Sequence, residues 1–376
     1  MNILVTGARL PAALELVRAL NAAGASVWAA DSLTFTPASA SCDCAGYLRF
    51  PSPALKFQEF RACMRQTVQR LGIDLIVPAS EEIFYLAQIA DELTPARLFA
   101  PSFVDLRRLH SKWEILAMAS GCAIRIPQTI RATTNAMLRA GLKEMPESVL
   151  KPEFSRGAYE ARFAPHNDRD TLDISPDNPW LIQEMLRGRE ISTFSVARKG
   201  KVLAHAAYEP RWRVAHGASL YFRPLDAPAA ERFVTGFVEK HGLSGQISFD
   251  LMVDDDGTVA LIECNPRTTS GVHLFANPEE LGRAILADDT IAANVSDKAK
   301  AAKLAIALLH GASAFRAGKF RSLCADLRAA KDSSFLMRDP LPLLSLYASS
   351  VEILLRSRSW RVDARHAYTF DLEWNG

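Results

Sequence analysis

Short apolar runs alternate with helically spaced segments at the start of the chain. Residues 3–5, Ile-Leu-Val, have the density of a buried parallel strand, Thr6-Gly7-Ala8-Arg9 reads as a turn, and Leu14, Val17 and Leu20 then recur at helical spacing. Gly24 ends that helix, and residues 27–30 form a second strand with Asp31 at its tip. The unit repeats: Ser52 opens a helix over 53–71, Gly72 stops it, and a strand over 73–77 leads into Pro78-Ala79-Ser80-Glu81-Glu82. Alternating βα units of this kind build a parallel sheet, with ligand contacts expected beyond the strand ends. Asp31 stands where a dinucleotide site keeps its ribose-binding acid. Arg9 and Pro11, however, stand where its glycines are required, which argues against such a site. Glu81 and Glu82 fit either a ligand contact or the first turn of a helix.

Past residue 145 the periodicity changes to that of antiparallel strands. A strand over 147–152 carries Lys151 at its end, before the irregular run that holds Arg156 and Gly157. Lysine, arginine and loop N–H groups together make a plausible phosphate clamp, although the spacing is not that of a P-loop. A strand over 180–186 bears Gln183 and Glu184, Gly188-Arg189-Glu190 turns the chain, and strands over 191–198 and 201–210 form a hairpin closed at Lys199-Gly200. A second hairpin joins 246–253 to 258–264. With Asp256-Gly257 as a two-residue turn, Asp250 falls opposite Glu263, and Val259, Leu261 and Glu263 share a face that Asn265 continues. Opposed carboxylates repel unless a cation intervenes. Asp250, Glu263 and Asn265 are hard oxygen donors of the kind Mg²⁺ prefers, though a solvated hairpin with lysine partners fits the same spacing. Arg267, two residues on, suits a phosphoryl or carboxylate group equally with a surface ion pair.

Composition narrows the function classes. The 376 residues include 44 Lys or Arg against 42 Asp or Glu, a formal charge of +2, so binding of nucleic acid through a broad basic surface is not expected. Six scattered cysteines do not form a disulfide framework, no signal segment opens the chain, and no apolar stretch reaches the length of a membrane span. A cytoplasmic protein of two or three domains is expected. Residues 208–223 are poor in aliphatic side chains and hold Arg211 and Arg213; with His273 they suggest a pocket for an anionic substrate, or an exposed loop. Helical spacing returns over 302–314 and 343–355, where a packing, lid, lipid-surface or homo-oligomer role is open.

In this order and spacing, residues 1–275 resemble the ATP-grasp superfamily. The motifs are Val149-Leu150-Lys151-Pro152, Gln183-Glu184 with Gly188-Arg189-Glu190, and Asp250 with Glu263-Cys264-Asn265-Pro266-Arg267. The resemblance implies mixed α/β and α+β architecture: a Rossmann-like pre-ATP-grasp domain over 1–100, ATP-grasp subdomains over 101–181 and 182–285, and a mostly helical extension over 286–376. It implies ATP and Mg²⁺, with Mn²⁺ as a substitute, as cofactors. Lys112, Lys151 and Arg156 would meet phosphates, Gln183 and Glu184 the adenine, and Glu190 the ribose or hinge. Asp250, Glu263 and Asn265 would hold metal, while Arg267 and Lys151 would act on the transferred phosphoryl group. Two departures stand out: a single glycine in the loop after Lys151, and an aspartate at 250 where a glutamate is common. The implied activity is an ADP-forming ligase joining a small-molecule carboxylate to an amine or thiol through an acylphosphate. An ATP-binding protein without ligase activity and a small-molecule kinase are the alternatives.

Overall fold

The computed structural model describes residues 1–155, 160–164, 172–214, 219–286, 293–364 and 366–376. Arg156 lies outside them. The first sheet has five parallel strands, β1 (Asn2–Thr6), β2 (Ser26–Asp31), β3 (Gly46–Arg49), β4 (Leu75–Pro78) and β5 (Arg97–Leu98), in the order β3-β2-β1-β4-β5. Helices α1 (Pro11–Ala22), α2 (Phe57–Leu71) and α3 (Glu82–Gln88) connect them as the βα rhythm predicts. The second helix starts at Phe57, not at 53, because Ser52 caps the preceding turn, accepting from the Leu55 N–H at 3.1 Å. Gly72, at φ 55°, ends it in the left-handed conformation that a glycine adopts without penalty.

The chain then passes through α4 (Phe103–His110) and α5 (Glu114–Ala119). A four-stranded sheet follows, made of β6 (Thr129–Ala132), β7 (Ser148–Pro152), β8 (Arg162–Phe163) and β9 (Trp180–Glu184), with α6 (Asn135–Glu144) packed on it. The third sheet is the largest: β10 (Arg189–Arg198), β11 (Lys201–Arg213), β12 (Ser219–Pro224), β13 (Gly245–Val253), β14 (Val259–Asn265), β15 (Lys300–Ala301) and β16 (Lys331–Asp332), in the order β14-β13-β10-β11-β12-β15-β16. One face of it buries Phe249, Leu251 and Leu261 under α7 (Pro228–Lys240). The other face meets α1 and joins the core of the first sheet through Phe194, Val196 and Leu274.

Two glycines fix how these layers touch. Gly282, in α8 (Pro278–Leu286), lies so close to α1 that a Cβ there would come within 2.1 Å of the Ala19 carbonyl oxygen. Gly245, at φ 122°, brings the start of β13 against Ala100 and Pro101, the link between the first sheet and the rest.

The C-terminal region contains α9 (Lys303–Arg316), α10 (Phe320–Ala329) and α11 (Leu341–Trp360), and it also adds β15 and β16 to the large sheet. Its last segment returns to the first sheet. Leu372 enters that core, and Asp371 pairs with Arg9, which Asp31 grips from the other side. None of the helices is long and apolar enough to cross a membrane, among the described residues.

Candidate active site

The hairpin β13–β14 places Asp250 directly opposite Glu263, but by a different route from the expected one. Residues 254–258 form a longer turn, with the Asp254 N–H donating to the Thr258 carbonyl at 3.1 Å, so Leu251 pairs with Leu261. Between Leu261 and Glu263 the extra residue Ile262 bulges from the ladder and restores the 250–263 pairing. The bulge also corrects the expected face. Val259 and Leu261 turn into the core with Phe249 and Leu251, while Glu263 faces away from it. It leaves the Ile262 carbonyl outside the ladder, where the Lys151 ammonium donates to it at 3.3 Å.

Three cationic groups converge on the carboxylates. Lys151, at the end of β7, is buried and also donates to Gln183 Oε1 at 2.8 Å. Lys112, just past α4, is buried too, with its ammonium 3.5 Å from Glu263 Oε2 and 2.6 Å from the Ser155 carbonyl. Arg267 acts on Glu263 at longer range. Burial lowers Lys151 to about 8 although Glu263 works to raise it. Burial also opposes the charge on Glu263, yet Lys112 and Lys151 outweigh it and hold this carboxyl below its ordinary value. Asp250 goes the other way: burial, then repulsion from Glu263 and Glu190, lifts it to about 7. It accepts from Ser192 Oγ at 2.6 Å and from Asn265 Nδ2 at 2.9 Å, neither of which supplies a full charge. A half-buried acid pair with this deficit and with Asn265 beside it is a hard-oxygen donor set that fits a divalent cation.

The remaining expected residues are placed as follows. Gln183 bridges Lys151 and Thr129, donating to Thr129 Oγ1 at 3.0 Å. Glu184, half-buried one residue on, pairs with Arg125 and accepts from the Gln128 N–H at 3.1 Å. Glu190 pairs with Arg213 and sits opposite Met252 on the strand that carries Asp250. Arg267 donates to Asn265 Oδ1 at 3.0 Å, and its Nε lies 3.6 Å from Glu81 at the crest of the first sheet. Arg211 is directed to Glu209 at 3.1 Å and Asp326 at 3.6 Å, on the C-terminal side. His273 is buried against the Phe222 ring and bonded to Glu15 at 3.1 Å, within the interface with α1. The structure thus gathers Lys112, Lys151, Gln183, Asp250, Glu263, Asn265 and Arg267, and leaves Arg211 and His273 outside that group.

Sequence reasoning missed His110 and Glu153. His110 is buried among Phe84, Phe154 and Trp374, and burial pushes it down to about 4, so it is neutral at ordinary pH. Its Nε2 has no hydrogen-bond partner among the described residues. Glu153 is buried between Ser111 Oγ at 2.5 Å and Arg131 Nε at 2.7 Å, and it ties the stretch bearing Lys112 to the strand bearing Lys151. Both depend on contacts between distant parts of the chain, which carry no local pattern.

Residues 109–271 match the ATP-grasp domain family. They form an ATP-grasp domain. Solved structures similar to this chain include N5-carboxyaminoimidazole synthetase from Staphylococcus aureus, at 10% identity and a TM-score of 0.62, covering 79% of this chain and 80% of that one. The same synthetase complexed with ADP gives 11% and 0.60, with 79% and 80% covered. L-amino acid ligase from Bacillus licheniformis gives 16% and 0.56, with 76% and 74% covered. These likenesses are of fold, and they cover more of the chain than the matched residues 109–271. No curated protein sequence matches the chain.

Proposed function

We propose that this protein is an ATP- and Mg²⁺-dependent ligase that joins a small-molecule carboxylate to an amine and releases ADP and phosphate. The observation that carries the reading is the opposition of Asp250 and Glu263 to Lys112 and Lys151 inside a single ATP-grasp domain. Asp250, Glu263 and Asn265 would hold the cation, which when bound supplies charge neutralisation for the phosphates. Lys112 and Lys151 meet phosphate oxygens, and Gln183 and Glu184 meet the base at the end of β9. Arg267 stabilises charge on the phosphoryl group in transfer, as Glu81 and Asn265 fix its orientation.

The physical task is to bring an anionic carboxylate to a polyanionic phosphate. The carboxylate oxygen bonds to the γ-phosphorus as the bond to ADP breaks, giving an acylphosphate. An amine then attacks the acyl carbon, phosphate leaves, and the amine nitrogen gives up a proton. The similar structures named as a synthetase and as a ligase support a ligase over a kinase.

The test is a screen of carboxylates and amines for ADP release, with hydroxylamine present to capture the acylphosphate as a hydroxamate. A carboxylate-dependent hydroxamate is expected with the native chain and is lost in Glu263→Gln. ADP release that persists unchanged in that variant, or a stable phosphorylated product with no hydroxamate, overturns the assignment.

A further inference from the structure

The C-terminal helices bury one side against the sheets and leave the other apolar and open. Among the described residues, 13 of the 21 exposed large hydrophobic side chains lie between Leu304 and Leu355. They are ordered along the helices. On α11, Leu341, Leu344, Tyr347, Val351, Leu354 and Leu355 are exposed, and at 100° per residue they fall within a sector of roughly 140°. Ile353 on the opposite face packs against Leu33 and Ala367. On α9, Leu304, Leu308, Leu309 and Phe315 are exposed within a sector of about 140°. The start of α9 and the middle of α11 come near each other at Asp332, whose carboxylate accepts from the Lys303 N–H at 3.3 Å and acts on Tyr347 of α11. Exposed apolar surface on this scale is rare on a monomer with nothing to bind.

Charge selects what covers it. Residues 300–361 hold 11 Lys or Arg and 4 Asp or Glu, a formal +7 in a chain whose total is +2. Lys319, Arg321, Arg328, Lys331 and Arg358 are exposed there and make no ion pair among the described residues. Two copies meeting through this layer would bring two strongly positive surfaces together. A copy that set its basic layer on the acidic remainder of another would form a head-to-tail contact that does not close. An anionic bilayer answers both features, since leucine and phenylalanine enter the acyl boundary while the cations meet headgroup phosphates.

We infer that the face formed by α9, α10 and α11 docks the protein onto an anionic lipid surface. The helices lie on the membrane and do not span it. β14, which carries Glu263, is the edge strand opposite β16 in the large sheet, so docking leaves the candidate active site uncovered.

The test is co-sedimentation of the full chain with vesicles of phosphatidylcholine, with and without phosphatidylglycerol. Binding to the mixed vesicles is expected, at least about tenfold weaker on phosphatidylcholine alone and weakened again by high salt. The double variant Leu308→Asp/Leu344→Asp, changed only at exposed positions, abolishes it while urea denaturation stays at the native midpoint. Arg321→Glu/Arg328→Glu weakens binding to mixed vesicles but not to neutral ones. Equal binding to both vesicles, or none to either, overturns the inference. So does a stable dimer in sedimentation velocity that Leu344→Asp dissociates, because the face is then buried by a second copy.

Discussion

Replacing Asp250 with asparagine separates the cost of the acid pair from its use. In the cation-free protein the Asp250 carboxyl is raised from 3.8 to about 7. Between those values the folded chain keeps a proton that the unfolded chain has released, so stability falls as pH rises through that range and levels off above about 7. From pH 5.5 to 8.5 only the last 1.5 units or so of the window are crossed, which at about 1.4 kcal/mol per unit is about 2 kcal/mol lost. The Asp250→Asn variant has no such proton. Its amide keeps one acceptor for Ser192 Oγ or Asn265 Nδ2 and forfeits the other bond, a constant loss of about 1 kcal/mol. In urea titrations with EDTA, the variant is therefore expected to be less stable than the native chain at pH 5.5 and equal or more stable at pH 8.5. Saturating MgADP then stabilises the native chain at pH 8.5 by clearly more than the variant. A stability difference between the two chains that is the same at both pH values refutes the argument from charge. Equal stabilisation of both by MgADP refutes the role of Asp250 in holding the cation.

Lys151 titrates near 8 because it is buried, so affinity for ATP is expected to fall as pH rises from 7 to 9 and the ammonium is lost. Calorimetry should show a drop of about tenfold that is absent in Lys151→Met, whose affinity is low throughout; the same pH dependence in both chains removes Lys151 from the phosphate contacts. Asp371→Asn leaves the fully buried Arg9 with Asp31 as its one carboxylate partner, which is expected to cost about 3 kcal/mol in urea unfolding. A loss below about 0.5 kcal/mol would mean that this pair is as weak as a surface one.

The sequence carries most of the site because the site is made of short elements with strong periodicity. The strand ending at Lys151 and the strand bearing Gln183 were legible from apolar runs, and the Lys199-Gly200 hairpin from its turn residues, both of which take positive φ. The pairing of Asp250 with Glu263 was reached through a two-residue turn that is not there. A longer turn shifts the ladder by one, and the bulge at Ile262 shifts it back, so the expected pair survives although the expected face for Leu261 does not. A bulge follows from how β14 meets its surroundings, including Lys151 from another sheet, and no local signal announces it. The same holds for His110 and for the Glu153 contacts. Arg211 and His273 looked alike as polar residues on irregular stretches, and only the packing of α1, Phe222 and α10 shows what surrounds them.

The return of the last segment to the first sheet has a consequence for how the molecule is made. Asp371 and Leu372 emerge from the ribosome long after Arg9 and Asp31, since Asp371 lies 362 residues beyond Arg9. Until they arrive, the amino-terminal unit lacks part of its core and one of the two acids that neutralise a buried guanidinium. The usual order, in which the leading domain completes itself while the rest is still being synthesised, is therefore closed to this chain. Its first sheet can reach its final stability only after the ATP-grasp domain and the helices behind it have been threaded out.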